Sequence, residues 1–214
     1  MLGLRYALRQ LRQSPAFSLT AVLTLALGIG ATTAIFSVVN SILLNPAGMS
    51  EPDRLVAVRV KYDKISHLQN IGTSAPDYQS ARENRDAFSH VATMQFSNFS
   101  LTGGDRPERL IGARVSHEWF STFQVKPILG RDFRPEEDQP GATQVVILSH
   151  PTWQARFGGD PSVIGRTLML NGEPHKVIGV VGSEFRWPPQ AELWAPIGLT
   201  PDQFRARTNQ FLFT

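Results

Sequence analysis

The stretch that decides the fold is residues 17–44, FSLTAVLTLALGIGATTAIFSVVNSILL, which contains no charged side chain. A bilayer core of about 30 Å is crossed by roughly 20 apolar residues in a helix, and this run is longer than that. We therefore predict a transmembrane helix over residues 16–45. A short amino-terminal segment, residues 1–15, precedes it, and residues 46–214 follow as a folded domain.

Charges on the two sides of this run predict its orientation. Arg5, Arg9 and Arg12 precede the run without any acidic residue, whereas the first charges after it are Glu51 and Asp53. Lys and Arg near a membrane span tend to stay in the cytoplasm. We expect the amino terminus to be cytoplasmic and the main domain to be periplasmic or extracellular.

A cleaved secretory signal is the alternative interpretation of the same segment. A basic start followed by LTLALGIGA has the general order of a signal peptide. The apolar region of a signal peptide is about 7–15 residues long, but here apolar character resumes as AIFSVV and continues to Leu44. The length favours an uncleaved span, and the mass of the mature amino terminus would separate the two.

Residues 2–13 have the pattern of an amphipathic helix. Leu4, Leu8 and Leu11 recur at helical spacing, with the three arginines one position later. Such a helix can lie in the headgroup layer of the membrane with its arginines reaching the phosphates. A continuous extension of the span is the alternative, although Ser14 and Pro15 favour a break.

Small residues within the span indicate a helix-packing face. Gly28, Gly30, Ala31 and Ala34 would let a second transmembrane helix approach closely. Small residues are also frequent in membrane helices that have no partner. We interpret the four residues as a packing site whose partners are other transmembrane helices.

Composition excludes several classes of function for the outer part. The net charge is +3 and the pI about 9.6, but the basic residues are spread along the chain, so we predict no nucleic-acid partner. Cysteine is absent, which excludes disulfides, thiolate metal sites and thiol nucleophiles. The low share of charged residues, 18%, and the hydrophobic share of 42% are ordinary for a packed domain.

Hydrophobic periodicity predicts an α+β domain after the span, that is, one transmembrane helix followed by a mixed α/β extracytoplasmic domain. Ser74-Ala-Pro-Asp77 has the form of a helix start, and Asn171-Gly172 is a hairpin turn signal. The predicted helices are 74–84, 116–123 and 151–157, and the predicted strands are 54–62, 91–101, 108–115, 144–148, 167–170, 175–181 and one that starts at 209. Because that last strand has only just begun, we expect the chain to be part of a longer protein.

No residue pattern indicates catalysis. The five histidines occur singly, and neither a P-loop nor a nucleophile elbow is present. Glu136, Glu137 and Asp138 are interpreted as a solvated loop, and the aromatic residues of the second half as core. We therefore predict a protein that is not an enzyme and has no catalytic, cofactor or metal site.

Several longer motifs carry a family likeness. The segment from Ser14 to Asn40 resembles the first transmembrane segment of MacB/FtsX-type ABC transporter permeases, in particular the duplicated orphan type. Downstream, 129–133 (LGRDF), 157–161 (FGGDP), 170–172 (LNG) and 192–196 (ELWAP) resemble the periplasmic core domain of that family.

This resemblance implies a permease subunit with a large extracytoplasmic domain between its first and second spans. A separate ATPase would drive helix movements that reach the outer domain, a process called mechanotransmission, and the full-length form would be a homodimer. No ATPase domain precedes the span in this chain, and later spans are missing from it, so the resemblance implies the amino-terminal portion of a permease. A single-pass anchored binding or adaptor protein remains the alternative.

Overall fold

The structure is a computed structural model that describes residues 13–39, 49, 51–60, 72–103, 106–206 and 212–214. The chain divides into two compact units, Met1–Pro46 and Ala47–Thr214. The predicted amino-terminal helix lies outside the described residues except for Gln13, and so do residues 40–48 at the end of the predicted span.

The first unit contains helix α1, Pro15–Val39. Its portion Pro15–Ser37 has a mean hydropathy of 1.9 and is unburied, so by length and composition it can cross a membrane. The helix begins where the sequence predicts a break, because Pro15 fits a first turn and the Ser18 N–H donates to the Ser14 carbonyl at 3.0 Å. Thr20 and Thr32 donate their hydroxyl hydrogens to carbonyls one turn earlier, which satisfies these polar groups within the helix.

The second unit mixes short helices with a single sheet, as the sequence predicts. Its described strands are β1 Met94–Thr102, β2 Glu108–Val115, β3 Leu129–Gly130, β4 Val145–Leu148, β5 Thr167–Leu170, β6 Glu173–Val180 and β7 Leu193–Pro196. Its described α-helices are α2 Ala75–Glu83, α3 Trp119–Thr122, α4 His150–Phe157 and α5 Pro201–Arg205. Short 3-10 turns occupy Pro52–Arg54, Pro135–Asp138 and Pro161–Val163.

The sheet closes into a barrel. Its order is β3-β6-β4-β7-β2-β1-β5, and β5 also pairs with β6. Leu101 and Thr102 of β1 lie opposite Leu170 and Met169 of β5, while Thr167–Leu170 run antiparallel to residues 173–176 of β6. Six strands therefore form a ring, and β3 extends the edge of β6 beyond β5. Closure leaves few unpaired strand edges.

Alternating side chains divide the apolar residues between two cores. In β4, Val146 and Leu148 join a cluster to which all six ring strands contribute, so this cluster fills the barrel. Val145 and Ile147 join the other cluster, which helix α3 covers from outside. This period-2 division follows from the pleat of the strands.

Aromatic side chains form the centre of the outer core. The ring of Phe120 lies 5.4 Å from Trp194, 5.6 Å from Phe185 and 6.0 Å from Phe133, measured between centroids. All four side chains are buried. Edge-to-face and tilted ring pairs of this kind stabilise a core beyond their buried area alone.

A smaller lobe packs at one side of the barrel. Helices α2 and α5 contribute Tyr78 and Phe204 to a third apolar cluster, together with Val91, Leu199 and Leu212. The amino terminus of α2 has the predicted capping box: Ser74 Oγ accepts the Asp77 N–H, and Asp77 accepts the Ser74 N–H. The helix start predicted at Ser74 is thus confirmed.

Other predicted elements meet different outcomes. The hairpin predicted at Asn171-Gly172 is confirmed, and the two residues adopt φ values of 52° and 82°, which the tight turn requires. The predicted strand 54–62 is wrong for residues 54–59, where no strand forms, while Val60 lies in an isolated β-bridge. Residues 52–54 form a 3-10 turn, and the Val58 N–H donates to the Thr214 carbonyl at 2.8 Å without a ladder. Residues 61 and 62 lie outside the described part.

The close approach of strands β2 and β7 at Gly112 can be tested by substitution. A Cβ at this position would lie 2.7 Å from the Leu193 carbonyl oxygen and 2.9 Å from the Phe99 ring. Because the nearest atom is backbone, we expect Gly112→Ala to destabilise the fold by about 1–3 kcal/mol. Denaturant unfolding of the full chain in mild detergent, followed by tryptophan fluorescence, measures this loss.

The control for Gly112→Ala is Ile111→Val on the same strand. Ile111 is 40% exposed, so its shortening should change the unfolding free energy by less than about 0.5 kcal/mol. Equal stabilities for the two variants would contradict the close approach of β2 and β7.

Candidate functional site

The predicted packing residues lie on helix α1, and their side chains or Cα atoms are exposed within the first unit. A Cβ added at Gly28 or Gly30 would meet nothing within 4 Å. At about 100° per residue, Gly30, Ala31 and Ala34 fall within roughly 100° of arc, while Gly28 lies about 160° from Gly30. One partner helix can therefore contact Gly30 and Ala34 together but not Gly28. The predicted topology residues, Arg5, Arg9 and Arg12, lie outside the described residues.

The acidic triplet is not a solvated loop, which corrects the sequence interpretation. Only Glu136 is exposed, while Glu137 forms two hydrogen bonds with the Arg131 guanidinium at 2.9 and 2.5 Å. Burial raises the pKa of Glu137, but the bonds from Arg131 and from the Arg134 N–H outweigh it and lower the pKa overall. Two of the three carboxylates are thus structural, because the chain folds back into a 3-10 turn that the sequence interpretation missed.

Asp138 joins three segments of the second unit. One carboxylate oxygen accepts the His117 N–H at 2.9 Å and lies 3.2 Å from His117 Nδ1, and the other accepts the Gly198 N–H at 2.9 Å. The side chain is only 9% exposed. His117 follows β2 and Gly198 follows β7, so this carboxylate ties both strand exits to the 3-10 turn.

Asp132 lies near His117, and its pKa is raised. Burial raises its pKa to about 6, opposed by the Phe133 N–H, by His117 and by Arg131. The Phe133 N–H donates to Asp132 Oδ1 at 2.6 Å. The protonation of Asp132 therefore changes in the mildly acidic range.

An apolar cavity of about 270 Å³ lies in the second unit. Leu55, Val58, Phe123, Trp187 and Phe213 are among its lining residues. Trp187 is 38% exposed, so the core interpretation of the aromatics holds for Trp119, Phe120, Phe185 and Trp194 but not for Trp187. Trp153 and Phe157 are partly buried against the barrel core.

A surface groove of about 710 Å³ runs beside helices α2 and α5. Tyr78 and Phe204 provide aromatic walls, and Arg82, Arg85 and Arg205 bring positive charge. Sequence reasoning missed this concentration because Arg205 lies far along the chain from Arg82 and Arg85. The spacing of Tyr78 and Arg82, one helical turn apart, was the available signal.

Metal chemistry finds no support in the described ranges, where no group of three or more His, Cys, Asp or Glu side chains is arranged to hold an ion. His175 illustrates the structural role of a histidine here. It is 1% exposed, and its Nδ1 lies 3.0 Å from the Glu173 carbonyl.

The chain thus combines a helix that is long and apolar enough to cross a membrane with a mixed α+β domain built on a closed sheet. The chain belongs to the MacB-like periplasmic core domain family, whose sequence model matches residues 18–213. The comparison with curated proteins finds no match.

Solved structures share the fold. The periplasmic region of MacB from Actinobacillus actinomycetemcomitans matches with a TM-score of 0.52 and 18% identity, covering 69% of this chain and 66% of that one. The extracellular domain of the noncanonic ABC-type transporter YknZ from Gram-positive bacteria matches with a TM-score of 0.51 and 15% identity, covering 71% and 76%. A domain of a putative permease from Porphyromonas gingivalis gives 0.51 and 15%, covering 68% and 62%.

The match with the MacB region thus spans slightly less than two thirds of that structure's length. At these identities the likeness concerns the fold, which confirms the predicted α+β class and the family resemblance.

Asp132 yields a pH-dependence that can be measured. Its folded pKa of about 6 lies above the ordinary value of 3.8, so the folded state binds this proton more tightly than the unfolded state does. Stability from this group is present at low pH and falls as pH rises from about 4 through 6. Asp132→Asn, which keeps an oxygen for the Phe133 N–H, should be about 1–3 kcal/mol more stable than the parent above pH 7.

Urea unfolding at pH 4.5, 6 and 7.5 measures the difference, which should shrink toward zero at the lowest pH. Asp53→Asn, at an exposed position, is the matched control and should show no such trend. A constant offset at all three pH values would contradict the burial of Asp132.

Proposed function

We propose that this chain is the amino-terminal portion of an ABC transporter permease that couples a separate ATPase to movements of its extracytoplasmic domain. The carrying observation is the family match over residues 18–213, which includes both the apolar helix and the folded domain. The substrate of such a permease would not have to pass through the lipid-embedded part of this chain.

The outer domain has features suited to moving as one body. Its barrel is closed, and Asp138 and the pair Arg131–Glu137 tie the surface turn to the strands. Closed, densely hydrogen-bonded structures transmit a displacement with little internal deformation. A domain of this kind can pass on helix movements to whatever it contacts outside the membrane.

Helix α1 is proposed to pack against other transmembrane helices of the permease. Its small residues Gly30, Ala31 and Ala34 lie within one arc, and no described side chain of the first unit covers them. In lipid, small residues allow helix backbones to approach closely, which gains van der Waals contact. The full-length form is proposed to be a homodimer in the inner membrane.

Orientation is proposed to be amino terminus inside, set by Arg5, Arg9 and Arg12. The absence of native cysteine makes a direct test possible. We expect a membrane-impermeant maleimide to label Asp53→Cys on intact cells, and Gln13→Cys only after the membrane is permeabilised. Both positions are exposed, and the reverse pattern would overturn the orientation.

Gly30→Leu tests the packing face. A large side chain at Gly30 should lower the amount of co-purified permease helices at least five-fold while membrane insertion is kept, because it separates the helix backbones. Quantitative mass spectrometry after purification in mild detergent measures the ratio. Gly28→Leu is the matched control, since Gly28 faces about 160° away from Gly30. Equal assembly of the two variants would contradict the interface.

Coupling to an ATPase is tested with the native complex. We expect a protein with a P-loop ATPase sequence to co-purify with this chain, and its ATP turnover to change when the complex forms. A stable monomeric product that retains no ATPase in mild detergent would instead support the anchored adaptor.

A further inference from the structure

We infer that the groove beside helices α2 and α5 binds a carboxylate-bearing peptide segment, with Arg82 as the residue that contacts the carboxylate. This inference goes beyond the proposed transport role, because it assigns a ligand class to a surface of the outer domain. It does not depend on the ATPase or on helix packing.

Two arginines of the groove face a single carboxylate. Arg82 and Arg85 both face Glu118, at 3.9 and 3.6 Å between nitrogen and oxygen. These distances are longer than a hydrogen bond. The other Glu118 oxygen already accepts the Val91 N–H at 3.2 Å. Two guanidinium groups thus share one carboxylate that satisfies neither of them.

Of the two arginines, Arg82 has more hydrogen-bond donors without an acceptor. Within the described part of the chain, its Nε is buried and has no hydrogen-bond partner, and its guanidinium lies 5.7 Å from the centroid of the Tyr78 ring. Arg85, by contrast, donates to the Ser89 carbonyl at 3.3 Å. The Arg82 side chain is 35% exposed and lines the groove, so an external acceptor can reach its guanidinium group although Nε itself is buried.

A second depression of about 390 Å³ adjoins the groove, and Tyr78, Arg82 and Phe204 line both. Phe204 and Tyr78 offer ring surface, while Ile197 and Leu199 add aliphatic surface on the inner side. A ligand that combines an acceptor with an apolar side chain can therefore satisfy Arg82 and contact the rings at once.

The neighbouring charges favour a carboxylate over a phosphate. Glu83 lines the same groove, and Asp202 pairs with Arg205 at 3.0 Å. These acids repel a doubly charged group more strongly than a singly charged one. A carboxylate offers two planar oxygens, which match the donor fork of an arginine. An acidic side chain next to an aromatic one in a peptide has the required chemistry.

Acetyl-Phe-Glu-amide is a suitable probe, with acetyl-Phe-Gln-amide as its uncharged match. NMR of the Arg Nε–H resonances of the full chain in neutral detergent reports on Arg82 directly and needs no variant. We expect the Glu peptide to shift the Arg82 Nε–H signal and to bind at least about five-fold more tightly than the Gln peptide. The difference should shrink at 0.5 M salt because the charges are partly exposed.

Variants then identify the contacting residue. Arg82→Gln should abolish the preference for the Glu peptide, and Arg82→Lys should restore only part of it, since the fork is lost. Arg109→Gln is the control, because Arg109 bonds Asn98 on β1 and lies outside the groove. Thermal unfolding of each variant shows whether the lobe is intact.

Equal binding of the two peptides, or an unchanged preference in Arg82→Gln, would overturn the inference. An equal response of Arg82 to inorganic phosphate would also overturn it in favour of a general anion site. These outcomes leave the proposed permease role untouched, since that role fails only if partner helices and ATPase are missing.

Discussion

The structure of the outer domain depends on the pairing of β5 with two strands at once. β5 has only four residues, yet it bonds with β6 as a hairpin and with the end of β1 across the gap. That second pairing turns an open sheet into a ring and divides the apolar residues into an inner and an outer core. Without it, Phe99 and Leu110 would face water on an open sheet, and helix α3 would cover only one of two exposed faces.

Closure of the ring also explains why the hydrogen bonds of Asp138 lie at the ends of β2 and β7. Strands that leave the barrel at β2 and β7 end beside each other, because these two strands are parallel neighbours. Their exits carry His117 and Gly198, and Asp138 accepts N–H groups from both. Backbone donors at strand ends have no ladder partner, so a buried carboxylate that satisfies two of them stabilises the edge of the ring. The smaller lobe with Tyr78 and Leu199 then packs beside this fixed edge.

Local signals in the sequence predicted local structure well. Ser74 with Asp77 predicted a capped helix start, and Asn171-Gly172 predicted a turn, because in both cases the interacting groups are within a few residues. The alternation in residues 54–62 was misleading. Leu55 and Val58 are half-buried while Val56 is 65% exposed, so the alternation reflects burial even though residues 55–59 form no strand.

Long-range features were beyond the sequence for the same physical reason. Glu137 and Asp138 were interpreted as members of an exposed charged loop, yet their partners Arg131, His117 and Gly198 approach only after the chain folds back. Ring closure likewise depends on residues 101 and 170, which the chain separates widely. The family motifs predicted the class of fold without these contacts, because the resemblance applies to the domain as a whole.

The charged side chains of the outer domain differ in how completely the fold matches them with partners. Asp138 and Glu137 have their donors close by, so the fold itself uses them. Arg82 and Arg85 share Glu118 at longer distances, so the fold leaves part of their capacity unused. Hydrogen-bond donors that the fold leaves unused beside aromatic rings are available to a ligand, whereas the donors of a stabilising ion pair are not. In a domain proposed to move as one body, a ligand held there would travel with the barrel, which connects the groove to the proposed coupling.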